Sequence, residues 1–177
     1  MRLLLLYVSL FHGIIMVGSE ESCSGTKNFL SYTADNKHVE RMRAMYSGCS
    51  VVETNLEITH VPASEDLSFL DNIRVVNGYV LVANISHSEL KLKKLEIIYG
   101  DPDFVHGFLY FPNDGSLTFA FNPNLNVVHM PAFRGINRRH VTISNCPYLC
   151  YLESTVDWSV LNSPGFSVGA SNQKCGR

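Results

Sequence analysis

Charge is scarce in this chain. Asp, Glu, Lys and Arg make up only 17% of its 177 residues, and the formal net charge is −2. That balance excludes a general electrostatic attraction to nucleic acid. Tryptophan occurs once, as Trp158, in a closing segment where it reads as a core wedge. The chain has no P-loop, no G-x-G-x-x-G, no kinase signature and no H-x-x-x-H pair among its seven histidines. Sequence grounds for nucleotide or helical zinc chemistry are therefore missing, and no cofactor is called for. Beyond residue 17 no apolar run approaches the roughly 20 residues that cross a bilayer. A hydrophobic content of 46% excludes long disorder and suits one domain with a real core.

The apolar run that is present lies at the start. Met1-Arg2 precedes residues 3–17, and Val17-Gly-Ser19 places small residues ahead of Glu20. A basic start, a short apolar stretch and small residues predict a secretory signal over residues 1–19. The expected mature chain, 20–177, is a single secreted, extracellular domain, free of the membrane after signal cleavage.

Secretion changes how the five cysteines read: Cys23, Cys49, Cys146, Cys150 and Cys175. In an oxidising compartment four are expected to pair, and fifteen pairings are open. Local pairs at the two ends are the economical choice. Each closes a loop of about 25 residues and adds about 3 kcal/mol in the chain-entropy model. Cys146 then remains as a free thiol or as the route to a disulfide-linked dimer.

Within residues 55–100 one phrase occurs twice. Leu70-Asp-Asn-Ile73 leads to Gly78 and Tyr79-Val-Leu-Val82. Leu95-Glu-Ile-Ile98 leads to Gly100 and then Phe108-Leu109. A weaker copy, Phe133-Arg-Gly-Ile136, leads to Val141-Thr-Ile143. Such a recurrence predicts stacked coils, each unable to bury its apolar face alone. Strand cores are expected at 51–52, 55–59, 79–82, 95–98, 117–121, 125–130 and 141–144. One helix is expected over 37–46, with Val39, Met42, Met45 and Tyr46 on its apolar stripe. Asp35 is its best N-cap, Gly48 its stop, and it plugs one end of the stack. Asp66 is placed to cap a short helical turn at 67–70. Asn77-Gly78 reads as a tight turn. Residues 86–94 read as polar and exposed, with Lys91, Lys93 and Lys94 a solvated face.

Three constellations resemble chemistry and fail on context. Gly165-Phe-Ser-Val-Gly169 fits G-x-S-x-G, but no Asp or His follows Ser167. Asp101-Pro-Asp103 is a turn. Cys146 and Cys150 with His129 and His140 suggest zinc, yet a distant Cys175 in a secreted chain favours a disulfide. No metal site and no catalytic residue are assigned, and the chain is not read as an enzyme.

Three sets of residues resemble the receptor L domain, the ligand-binding lobe of the epidermal growth factor and insulin receptor families. The first is Cys23-Ser-Gly-Thr-Lys-Asn-Phe-Leu30 with Val39-Glu-Arg-Met42 and Cys49-Ser-Val-Val52. The second is Asn55-Leu-Glu-Ile-Thr59, Asp66-Leu-Ser-Phe-Leu70, Gly78-Tyr-Val-Leu-Val-Ala83 and Leu95-Glu-Ile-Ile-Tyr-Gly100. The third is Pro147-Tyr-Leu-Cys-Tyr-Leu152 with Thr155-Val-Asp-Trp158, closer to the insulin receptor branch. The resemblance implies a mainly β fold: a short right-handed β-helix of the leucine-rich-repeat kind, capped by one N-terminal α-helix. It also implies the bridges Cys23–Cys49 and Cys150–Cys175, and a ligand held on an open sheet face and its rim. At matching positions that face includes Leu30, Tyr32, His60 and Asn84.

His60 and Asn84 are polar where the family often has an aromatic or aliphatic residue. Asn84-Ile-Ser86 is a glycosylation sequon. Cys146 stands where the family commonly has asparagine. The cysteine-rich domain, second lobe, membrane helix and kinase of the receptors are not expected here. The resemblance thus implies a secreted binding module, a decoy or modulator. Its expected partner is a growth-factor-like or insulin-like peptide, or a receptor ectodomain. The alternative is a structural or adhesive extracellular protein.

Overall fold

The computed structural model describes residues 20–26, 35–100, 116–137, 141–151, 167–168 and 173–174. Among them the protein is mainly β, with one α-helix and strands paired in parallel. The first sheet runs β1-β2-β4-β7-β10: β1 (Ser22–Cys23), β2 (Val51–Val52), β4 (Val75–Val76), β7 (Ile97–Ile98) and β10 (Gly135–Ile136). The second runs β13-β11-β8-β5-β3: β3 (Leu56–Thr59), β5 (Val80–Ala83), β8 (Leu117–Ala120), β11 (Val141–Ser144) and β13 (Ser167–Val168). Two smaller pairs join β6 (Glu89–Lys91) to β9 (Val127–His129) and β12 (Cys150–Tyr151) to β14 (Gln173–Lys174). The chain visits these sheets in rotation, so each circuit lays one strand beside the strand of the previous circuit.

Register makes the core. Leu56, Val80, Leu117 and Val141 stand side by side, and so do Ile58, Val82, Phe119 and Ile143. All eight are buried in one cluster, which also takes in Val52, Val76 and Ile98 from the first sheet. Strand residues alternate between faces, so each strand contributes every second residue to this interior. Parallel pairing demands a long return between neighbours, and each circuit supplies it.

The repeated phrase is present: the copies at 95–98 and 133–136 align as read, and the copy at 70–73 is three residues out of step. In the register of the first sheet, Leu70 corresponds to Leu92 and Met130, and Ile73 corresponds to Leu95 and Phe133. The same tight turn recurs at each: Ile73 N–H donates to Leu70 O, Leu95 N–H to Leu92 O, and Phe133 N–H to Met130 O, at 3.1, 3.2 and 3.1 Å. Apolar residues three apart fit either frame, and only the backbone turn chooses. Residues 86–94 also need correction. Leu90 and Leu92 are buried at 0% and 1% exposure, and β6 alternates outward Glu89 and Lys91 with inward Leu90. Lys91, Lys93 and Lys94 themselves are exposed, with Lys93 paired to Asp71 at 2.5 Å.

Helix α1 (His38–Tyr46) closes one end of the stack. Its buried residues are His38, Met42 and Tyr46, and Val39 and Met45 pack at their flanks. His38 was missed because a polar residue does not register in an apolar stripe. Asp35 lies ahead of the helix: its Oδ1 accepts from Lys37 N–H at 3.0 Å in an Asx turn, and its carboxylate pairs with Arg41 at 2.9 Å. Gly48 stops the helix in the left-handed region at φ +79°. A 3-10 turn at Ser68–Leu70 follows Asp66, which accepts from Ser68 N–H at 2.9 Å.

The Asn77-Gly78 turn is of a different kind from that expected. Gly78 has no positive φ. It is glycine because a Cβ there would stand 2.0 Å from Asn55 Oδ1. A disulfide joins Cys23 to Cys49, with Cα atoms 5.7 Å apart, and ties β1 to the turn after α1. Among the described residues no helix is long and apolar enough to cross a membrane.

Candidate functional site

Each long strand of the second sheet ends in the same way. The residue after β3, β5, β8 and β11 enters the left-handed region: His60 at φ 53°, Asn84 at 54°, Phe121 at 54° and Asn145 at 53°. Such a φ costs a non-glycine residue about 1–2 kcal/mol. Asparagine tolerates it, histidine less so, and phenylalanine is an outlier. Cross-strand bonds hold the turn in place. His60 N–H donates to Ala83 O at 3.0 Å, Asn84 N–H to Ala120 O at 3.2 Å, and Phe121 N–H to Ser144 O at 3.0 Å.

The turn separates two columns of side chains. The following residues, Val61, Ile85, Asn122 and Cys146, point into the core and are at most 1% exposed. The turn residues themselves form a row along the rim. At a strand spacing near 4.8 Å, four of them span roughly 14 Å. His60 is half-buried, Asn84 and Asn145 are exposed, and Phe121 is 47% exposed. Backbone strain repeated on four strands, with an apolar ring nearly half exposed among them, marks this rim as the candidate site.

Of the residues assigned from sequence, the structure brings His60 and Asn84 onto adjacent rungs of this rim. Leu30 and Tyr32 lie outside the described residues. Phe121 and Asn145 belong to the row and were not assigned. The signal that could have found them is positional: each is the residue that ends its strand, as His60 and Asn84 are. The open sheet face expected beside the rim is closed at its centre. Glu57, Leu81, Thr118 and Thr142 stand in register on the side away from the core, at 0%, 1%, 3% and 8% exposure. Tyr79 Oη–H donates to the Glu57 carboxylate there.

Asn122 and Cys146 occupy one position on successive rungs. Asn122 Oδ1 accepts from Ile85 N–H at 3.0 Å, and Nδ2–H donates to Val82 O at 2.9 Å and to Cys146 Sγ at 3.6 Å. Cys146 is a free thiol, 1% exposed, whose Sγ–H donates to Ser144 O at 3.3 Å. Burial pushes its pKa up, so it is a protonated, enclosed thiol. The intermolecular bridge considered for it would require this enclosed site to open. Cys150 opens β12; the Cys175 expected to pair with it lies outside the described residues.

Two clefts flank the rim. One, of about 230 Å³, is lined by Asp35, His38, Glu40, Arg43, His60 and Glu65, among others. The second, of about 360 Å³, mixes Asp66, Asp71, His87 and Glu89 with Lys91 and Lys93. Its charges pair with each other, Lys93 with Asp71 at 2.5 Å and Lys91 with Glu89 at 3.5 Å. Among the described residues no three His, Cys, Asp or Glu gather as metal donors. Ser167 opens β13, paired with Thr142. The row of turn residues is a surface suited to recognition.

Residues 48–162 match the family model described as Receptor L domain. The Melanoma receptor tyrosine-protein kinase of Xiphophorus maculatus is 32% identical over 145 residues, covering 79% of this chain and 12% of the relative. The Epidermal growth factor receptor of Drosophila melanogaster is 33% identical over 145 residues, 81% of this chain and 10% of the relative. The Receptor tyrosine-protein kinase erbB-4 of Mus musculus is 36% identical over 146 residues, 79% of this chain and 11% of the relative. The chain thus spans about a tenth of the length of these curated relatives.

Proposed function

The chain belongs to the receptor L domain family, and from that premise we propose that it is a secreted, non-catalytic binding module whose contact surface is the His60–Asn84–Phe121–Asn145 rim. Residues 1–19 act as its secretory signal, and Cys150 pairs with Cys175. The rotating parallel strands are those of a short right-handed β-helix of the leucine-rich-repeat kind. The partner is a growth-factor-like or insulin-like peptide, or the ectodomain of a receptor related to those the chain resembles. As a soluble lobe it acts as a decoy or modulator.

The observation that carries this reading is Phe121. A bulky ring 47% exposed at a left-handed strand end, in a row of four such turns, offers apolar contact area at the surface. The experiment is calorimetric titration of the secreted chain against an epidermal-growth-factor-like peptide, an insulin-like peptide and a receptor tyrosine kinase ectodomain. One of the three is expected to bind, and Phe121→Asp to weaken it at least about tenfold. Asp is chosen because it tolerates the left-handed turn.

A second reading rests on Asn84. Its sequon places a glycan beside Phe121, and such a glycan favours a structural or adhesive protein that binds no signalling peptide. Ser86→Ala removes the sequon without touching the strained Asn84. If neither the glycosylated nor the Ser86→Ala chain binds any of the three probes, and both are retained on matrix components, the adhesive reading replaces the first.

A further inference from the structure

Among the described residues, helix α1 meets the outer edge of β3 with side chains. Tyr46 Oη–H donates to Asn55 O at 3.3 Å and accepts from Glu57 N–H at 3.4 Å. One turn-pair away, His38 Nε2 lies 2.7 Å from Thr59 O and 3.1 Å from Thr59 Oγ1. A carbonyl only accepts, so Nε2 carries the proton and Nδ1 keeps its lone pair. That Nδ1 is buried and has no partner, in a residue only 2% exposed. His60 follows Thr59 directly. Its ring stands edge-on to that of His38, at 90° with centroids 5.9 Å apart. Its own Nδ1 is also buried without a partner.

We propose that His38 and His60 form an acid-operated latch between helix α1 and the first rung of the rim. With both rings neutral, His38 holds the helix on the β3 edge. With both charged, two cations face each other within the cleft and the helix lets go of the edge, carrying the His60 end of the rim with it.

The surroundings offset part of the charge: Asp35, held below the ordinary carboxylate range first by the Lys37 N–H, also feels His38. From the helix side the cleft presents Asp35, Glu40 and Arg43, and from the loop after β3 it presents Glu65. Asp35 already pairs with Arg41 at 2.9 Å, and Glu65 with Arg43 at 3.5 Å. Glu40 is the remaining carboxylate. Burial, and then the neighbouring His38, push His60 below the ordinary histidine range. The folded chain therefore takes up this proton less readily than the unfolded chain. The latch is at full strength above the ordinary histidine value near 6.5 and weakens as pH falls below it.

The test is amide hydrogen exchange of the full chain between pH 7.5 and 5.0, corrected for the intrinsic pH dependence of exchange. The reporter is the Glu57 amide, which α1 protects; the reference is Val80, whose amide is bonded to Ser116 O inside the sheet. Glu57 is expected to lose at least about tenfold in protection relative to Val80 on acidification. His60→Asn removes the second ring and keeps a residue that the rim already uses at Asn84 and Asn145. In that variant the loss is expected to move to lower pH or vanish, and the His38 ring signals to titrate at a changed midpoint. Equal loss over the same pH range in both chains, or no loss in the parent, overturns the latch. So does a His38 midpoint that ignores the substitution.

Discussion

Asn122 and Cys146 meet the same demand with different chemistry. The position lies under the rim, where the chain turns and leaves backbone groups of the neighbouring rung facing inward. Asn122 answers with both ends of its amide, to Ile85 N–H and Val82 O. Asn122→Ala leaves both unsatisfied in a site of 0% exposure, and is expected to cost about 2–4 kcal/mol in urea unfolding. A cost under about 1 kcal/mol would mean that water replaces the amide. Cys146 makes a weaker bond, to Ser144 O. Its thiol is expected to resist alkylation at neutral pH in the native chain and to react once urea unfolds it; rapid native labelling would show that the site opens. Residue chemistry was partly legible in the sequence. The odd cysteine declared itself by count and the sequon by pattern. His38 and Phe121 did not, because burial of a polar ring and exposure of an apolar one are decisions of the fold.

Elements in this chain are placed by what their ends touch. Gly78 precedes β5 and approaches Asn55, whose Oδ1 accepts from Tyr79 N–H at 3.1 Å while Nδ2–H donates to Thr26 O at 2.9 Å. One amide thus joins three segments. Gly78→Ala drives a Cβ into that oxygen and against Thr54 O, and is expected to destabilise by about 2–3 kcal/mol. Gly48→Ala is the contrast. Its Cβ meets only the Glu21 carboxylate end, which can swing away, so the cost is the left-handed backbone alone, about 1–2 kcal/mol. Parallel urea titrations compare the two, and the ordering reverses if Asn55 can rotate aside. Strands with several branched or apolar residues were legible: β2 and β11 match their expected bounds. The two-residue β4 and the charged β6 were not, since a strand that short is defined by its neighbour's register. The phrase repeat was visible, with its first copy three residues out of step, because its frame is set by a backbone turn that leaves no mark on hydropathy.

At the scale of the whole molecule, stacking makes stability a nearest-neighbour property. Each strand of the two long sheets bonds only to the strands beside it, so a defect at one end reaches the other only by passing through every rung. Strand β1 is two residues long and rests on a few bonds, among them Ser50 N–H to Glu21 O at 2.7 Å and Glu53 N–H to Cys23 O at 2.8 Å. The Cys23–Cys49 bridge adds the covalent tie, closing 26 residues, and a loop of that length contributes about 3 kcal/mol. Replacing both cysteines by alanine is expected to loosen β1, then α1, and so to uncover the β3 edge that Tyr46 and His38 protect. Amide exchange should then accelerate strongly at Leu56, less at Val80, and least in β11. Such a gradient follows from a stack whose rungs hold one another in sequence. Equal acceleration at all three would instead make the domain one cooperative unit, with the bridge acting on the unfolded chain alone. The gradient also bears on the rim. His60 sits on the rung nearest the loosened end and Phe121 two strands further in, so loss of the bridge should disturb partner contacts at His60 while leaving those at Phe121 in place.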